Sequence, residues 1–386
     1  MSDPPLLQRV GMGYMARREA RLGAGSTQVD PHHLDAAEQR ALLRIQWRLV
    51  IEAALLGAAS GLVCAFAELW ADAELAPDPA AGLSGQARYW GWLGSIIGLA
   101  SLVEVVLLYL ESLRAVQAIA RTTGTRLFVG PGDSQPSSPM SAALVRAALE
   151  LPNPPPQGYA IDPLREVSRV RTVAVGLVYK AKIGLTSFVL KVLLRRVLGR
   201  AVLRAWLVFV GVPVTAFWNG VVALVVIREA RLRAIGPSAA RELVGRLDLD
   251  RARPAQVELV WRAVAATVVR THELHPNVDA FMDALRRDLG PPPQDGLDDT
   301  ARFLEQLAAA PREDQRPALR ALAVAAVLDG KTTRDERRLV QEVAQVTGLA
   351  MPARALARLR RRFVNGRPLD AALLQALAPD EPAPAR

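Results

Sequence analysis

Four stretches of this chain are too long and too apolar for the surface helices of a water-soluble fold: 49–71, 90–110, 173–194 and 205–227. Each reaches the length of about 20 residues that a helix needs to cross roughly 30 Å of hydrocarbon. Within lipid a lone segment must satisfy its own backbone, so each run reads as a helix. The chain is therefore expected to be all-α. An N-terminal segment, 1–45, precedes a polytopic helical membrane domain over 46–235. A long linker, 111–172, joins the second and third runs. Its breaker-rich pieces, 130–139 and 152–158, bracket a short helix at 140–151.

Loop charge orients the runs. Residues 1–48 hold seven arginines and 111–172 another seven, whereas 72–89 holds Asp72, Glu74 and Asp78 against Arg88 alone. Basic loops stay on the cytoplasmic side, which puts the N-terminus inside and 72–89 outside. Arg228, Arg231 and Arg233 follow the last run and also favour the inside. That asks for an even number of spans, four, with a cytoplasmic tail in a plasma membrane. Against it, the connector 195–204 carries Arg195, Arg196, Arg200 and Arg204 and would face outward. The rival topology lays 173–204 on the cytoplasmic surface as an interfacial helix, leaving three spans and the tail outside. A re-entrant course for 173–227 is a third arrangement.

The runs contain a few polar groups. Glu52 pairs naturally with Arg48 one turn earlier. Glu68, at the outer end of its run, is placed to meet Arg88 at the boundary. Glu104 lies nearer the middle of its run, and the otherwise charge-free run 205–227 carries Asn219. Three of the four lysines, Lys180, Lys182 and Lys191, fall in 173–194. Ionisable groups in a span cost roughly 2.5–3.5 kcal/mol each on insertion scales, so they pair or serve a function. A pair between Glu104 and Lys180 or Lys182 is the sharpest expectation. It would either fix bundle register or relay protons or ions, a task suited to lysine because its pKa moves on burial. Gly57 with Gly61, and Gly94 with Gly98, form two small-residue seams on adjacent runs, an arrangement that suits a closely packed hairpin. The lone cysteine, Cys64, shares the first seam and reads as packing.

Past Gly236-Pro237 the pattern becomes soluble and helical. Helices are expected over 238–247, 255–273 and from Pro276 to before Gly290, all within a segment 237–290, and then throughout a final unit, 297–379. In that unit Asp329-Gly330 closes an apolar helix, and Thr333 with Glu336 fits a capping box opening the next. Apolar helix, Asp-Gly, then Glu six residues after the glycine resembles the TerB-like domain of tellurite-resistance proteins. The likeness is strong over about 30 residues, Ala321 to Leu349, and looser over the rest of the unit. It implies an all-helical cytoplasmic domain and a divalent cation near this turn, with Asp329 and Glu336 as its ligands. The runs "YKAKIGLTSF" and "VPVTAFWN" are similar to those of bacterial inner-membrane proteins with no assigned function.

Other motifs fail on inspection. The Gly330 to Glu336 spacing imitates the end of a calcium loop, but Ala325 and Val327 stand at ligand positions. "HELH", His272 to His275, is one residue short of a zinc helix motif. No nucleophile elbow, phosphate loop or dinucleotide fingerprint is present, so neither an enzyme nor a cofactor is expected. Arg354, Arg358, Arg360, Arg361 and Arg362 give one late helix a basic face for solvent or anionic lipid. Without interleaved aromatics it does not suggest nucleic acid. The expected partners are membrane lipids and a second copy or another membrane protein. Two functions remain open: a membrane-anchored scaffold or stress-linked sensor, and a small ion or proton transporter using Glu104 and the lysines.

Overall fold

Every regular element among the described residues is a helix. The structure, a computed structural model, describes residues 4–23, 33–75, 82–128, 139–151, 153, 159, 161–163, 165, 208–247, 249, 253–293, 296–349 and 351–378. In chain order the helices are α1 (Leu6–Leu22), α2 (Ala36–Glu74), α3 (Gly82–Thr122), α4 (Pro139–Ala148) and α5 (Gly211–Gly245), the last following a 3-10 turn at Val208–Val210. Then come α6 (Pro254–Thr271), α7 (Pro276–Leu289), α8 (Thr300–Ala309), α9 (Arg312–Leu328), α10 (Arg334–Thr347), α11 (Ala353–Val364) and α12 (Ala371–Gln375). Three of them, α2, α3 and α5, are long and apolar enough to cross a membrane. They contain three of the four apolar runs. The fourth, 173–194, with Lys180, Lys182 and Lys191, lies outside the described residues.

The chain divides into two compact units. One gathers Met1–Arg40, Ile119–Val167 and Glu229–Arg386; the other holds Ala41–Ala118 and Ser168–Arg228.

In the second, apolar unit, α2 and α3 run antiparallel. Ala67 and Ala71 cluster with Tyr89 and Leu93, the rings of Trp70 and Trp92 lie 4.4 Å apart, and the Tyr89 hydroxyl donates to Asp72 Oδ1 at 2.6 Å. That bond occupies the place expected of a Glu68–Arg88 pair, which is not found among the described residues. The Arg48–Glu52 pair is present, at 2.8 Å. The α5 helix also runs antiparallel to α2: Val50 and Ala54 face Gly220, Gly57 faces Thr215 and Asn219, Gly61 faces Val212, and Phe66 meets Phe209 edge-on. The glycine seams therefore act differently from expectation. Gly57 and Gly61 admit α5 rather than α3, because Thr215 and Asn219 offer bulk and hydrogen bonds that a second glycine ridge lacks. A Cβ at Gly57 would stand 2.6 Å from Asn219 Nδ2 and 2.8 Å from Thr215 O. Among the described residues nothing lies within 4 Å of such a position at Gly94 or Gly98. The apolar stretch of α3 is accordingly the least covered, with 6% of it buried against 22% in α2 and 28% in α5.

In the first unit, α6 is the central helix, and α8, α9 and α10 pack around it. Trp261, Phe281, Phe303 and Phe363 are fully buried. The late turns of α5 belong to this core through Leu232, Ile235 and Leu243. Here the expectation of a break at Gly236-Pro237 fails, since α5 runs unbroken to Gly245 with Pro237 inside it. Proline removes a backbone donor and loosens the turn before it. Pro237 leaves Arg233 O without its i+4 amide donor; the Asn277 carboxamide donates one residue earlier, to Leu232 O at 3.0 Å. It packs so closely on Gly236 that no Cβ fits there. At a second internal proline, Pro317 in α9, the freed i−4 carbonyl is served directly: Gln256 Nε2 donates to Glu313 O at 3.3 Å.

Candidate functional site

Two places bring the singled-out polar residues together. The first lies in the apolar unit. Asn219 Nδ2 on α5 donates to Glu104 Oε1 on α3 at 2.6 Å. One turn earlier on α5, Thr215 Oγ1 lies 2.8 Å from Gly57 O, and within 3.1 Å of Gly211 O and Val212 O in its own helix. The single hydroxyl proton thus has three acceptors to serve. Glu104 and Asn219 were both singled out from the sequence, but as separate features. Lysine was the expected partner of Glu104, and among the described residues its bonded partner is Asn219; the three lysines lie outside them. The physical reason is register. The glycines at 57 and 61 let α5 approach α2 closely enough for Asn219 to reach α3 beside it. An amide solvates a carboxylate without cancelling its charge.

The second place is the turn between α9 and α10. Asp329 caps α9, and Gly330 follows with φ +71°, where a Cβ would also strike Leu232 Cδ1 at 2.5 Å. The capping box then forms as expected: Glu336 N donates to Thr333 Oγ1 at 3.1 Å and Thr333 N donates to Glu336 Oε2 at 2.6 Å. Glu336 is 1% exposed, and its Oε1 is buried with no hydrogen-bond partner. Burial, and then the charge of Asp329, push the Glu336 carboxyl up to about 7. Burial likewise raises Asp329, against the opposing pull of the Lys331 amide. Among the described residues no three of His, Cys, Asp and Glu gather as metal ligands. Two carboxylates, one already committed to a helix cap, fall short of the six to eight oxygens that calcium takes. The pair suits a retained proton better.

Beside this turn stands a bonded chain that the sequence did not reveal. His275 Nε2 meets Glu229 Oε1 at 2.7 Å, and His275 Nδ1 accepts from Asn277 N at 3.2 Å. An accepting Nδ1 leaves the ring proton on Nε2, pointing at Glu229. Arg233 Nε also donates to Glu229 Oε1, at 2.8 Å, while its Nη1 reaches Ala143 O at 2.6 Å. Burial alone would raise the Glu229 carboxyl, but the hydrogen bonds from His275 and Arg233 outweigh it and hold it at about 2. Asn277 Nδ2, besides Leu232 O, bonds Leu328 O at 2.8 Å. Both nitrogens of His275 are thus engaged, Nε2 on α5 and Nδ1 in the cap of α7, which removes it as a metal ligand. The "HELH" stretch hinted at something, but its meaning lay in helix ends far apart in sequence.

Comparison of this chain with protein-family models, with curated proteins and with solved structures gave no match.

Proposed function

We propose that the protein is a four-span membrane anchor whose non-membrane part is one helical module on the cytoplasmic side, serving as a scaffold or sensor. The observation that carries this reading is the membership of the first unit. The chain leaves that unit at Arg40, returns at Ile119, leaves again after Val167 and returns at Glu229. A compact body outside the bilayer occupies one side of it, so each excursion crosses lipid an even number of times. The first excursion contains α2 and α3. The second contains α5 and the run 173–194, which supports counting that run as a span. The antiparallel register of α2 and α5 supports the same count, because α3 and α5 then run parallel and the chain between them has to recross.

Charge agrees with this orientation. Arg44, Arg48, Arg114 and Arg228 lie toward the ends of the apolar stretches that adjoin the first unit, and Glu68, Asp72 and Glu74 lie toward the other end. The TerB-like reading of 297–379 rests on the Asp329-Gly330 turn and the Thr333–Glu336 capping box. Reporter fusions at positions 78, 200 and 300 test the topology. Cytoplasmic activity at 300 and external activity at 78 and 200 are expected. An external signal at 300 overturns the reading.

The Glu104–Asn219 bond favours a second reading, a site for protons or small cations within the bundle. Its test is flux in liposomes: Glu104→Gln abolishes transport if the carboxylate carries it, and changes only thermal stability if the bond serves packing.

A further inference from the structure

Several arginines of the first unit are engaged by acids. Arg121 meets Glu19, Arg165 meets Asp298, Arg253 meets Glu313 and Asp314, Arg262 meets Glu258, and Arg270 meets Glu342. On α11 only Arg362 has such a partner among the described residues, Asp370. From Ala353 to Leu369 the chain has six arginines and no acid. Leu356, Leu359 and Phe363 turn inward. Arg354, Arg358 and Arg361 follow the i, i+4, i+7 rule along the opposite, exposed face. Among the described residues none of these three has a carboxylate partner; Arg361 touches only Ala357 O of its own helix. Arg367 beyond the helix end is also exposed.

The end of α11 is fastened to the start of α2. Leu34 N donates to Gly366 O at 2.9 Å, and Gln39 Nε2 lies 3.5 Å from Asn365 O. That same helix enters its apolar stretch at Leu49, ten residues beyond Gln39. An unneutralised arginine stripe is thereby tethered to a segment that leads into the bilayer. Tethering converts weak charge attraction into a favourable local equilibrium. From this juxtaposition we infer that the Arg354–Arg358–Arg361 face of α11 docks on the anionic phospholipid headgroups of the membrane that holds the protein. A stripe of point contacts along one helix suits a sheet of phosphates, and arginine binds phosphate in a bidentate manner. The inference rests on the membrane reading above.

The test uses the full chain with Cys64→Ser and Ala353→Cys, labelled at the new thiol and placed in nanodiscs carrying a headgroup-attached quencher. Co-elution with the discs checks the membrane reading by itself; failure there sinks that reading and the docking with it. With co-elution, strong quenching is expected in discs containing phosphatidylglycerol and weak quenching in phosphatidylcholine alone, with salt relieving the former. Replacing all three arginines by alanine should lower the docked-to-free ratio roughly a hundredfold, with helical content unchanged by circular dichroism, while the triple lysine variant keeps most of the quenching. Equal quenching in both lipids, retention of quenching in the alanine variant, or release of the face by short duplex DNA at constant salt overturns lipid docking.

Discussion

The two units use the same apolar residues inside out. In the first, Trp261 is fully buried and the rest of α6 is wrapped by its neighbours. In the second, Trp90 is 64% exposed, and Leu99, Leu102, Phe217 and Val225 on α3 and α5 are each at least 60% exposed. Water punishes the second arrangement, since exposed apolar surface costs about 25 cal/mol per Å². Lipid does not, because its tails are as apolar as leucine. The contrast teaches where stability comes from in each half. The first unit is held by burial. The second is held by close backbone approach at Gly57 and Gly61 and by a few polar bonds, Asn219 to Glu104 above all.

The largest expected break in that contrast is a core truncation. Trp261→Ala should cost the first unit about 3–5 kcal/mol, whereas Leu102→Ala should leave stability in detergent unaltered within roughly 0.5 kcal/mol; chemical denaturation followed by circular dichroism separates them. Equal losses would mean that α3 is packed against protein.

Proton linkage comes next in size. The Glu336 carboxyl is raised in the folded chain, so folding favours its neutral form. Stability should therefore fall as pH rises from about 4.5 toward about 7 and level off above. The total is on the order of 3 kcal/mol, and Glu336→Gln should flatten that slope. Glu229 has the opposite sign. Its carboxyl is held at about 2, so its contribution is full at neutral pH and fades as pH drops below the usual carboxylate range. Melting temperatures of wild type, Glu336→Gln and Glu229→Gln across pH 3 to 8 distinguish the two, and parallel profiles would contradict the assignment.

A third effect belongs to the glycine seams. Gly57→Leu should destabilise the apolar unit by about 1–3 kcal/mol through overpacking, while Gly94→Leu, facing open space, should be close to neutral. Thermal aggregation in detergent ranks them, and the reverse order would show that the wrong seam has been assigned to α5. The smallest effect is at the α10 cap, where Thr333→Ala should cost about 1 kcal/mol and leave the bundle untouched.

Local signals carried well from sequence to structure. Pro276 and Gly290 bound α7, Thr333 and Glu336 form their reciprocal cap, and Arg48 pairs with Glu52. Each depends on residues a turn or less apart, where helical geometry alone decides. What stayed illegible was long-range. Nothing in "GPSAARE" announces that a carboxamide forty residues on will pack against Gly236 and bond Leu232 O beside Pro237. Nothing in either glycine pair says which helix it will admit. The site was legible in its members and opaque in its pairings. Glu104 and Asn219 stood out by being polar in apolar runs, and Asp329 and Glu336 by the Asp-Gly turn and the capping box, yet the Glu104–Asn219 bond and the His275–Glu229–Arg233 chain depend on registers between helices.

The first unit is sewn together from three separated stretches, and one seam, Leu34 to Gly366, joins residues far apart in sequence. A ribosome delivers Leu34 long before Gly366. Leu34 therefore waits for Gly366 through the synthesis of every apolar run. Contacts of such long sequence separation close slowly, and the waiting pieces are open to chaperones and proteases meanwhile. Closure at Gly366 thus comes late, after all the intervening segments of the unit have been made.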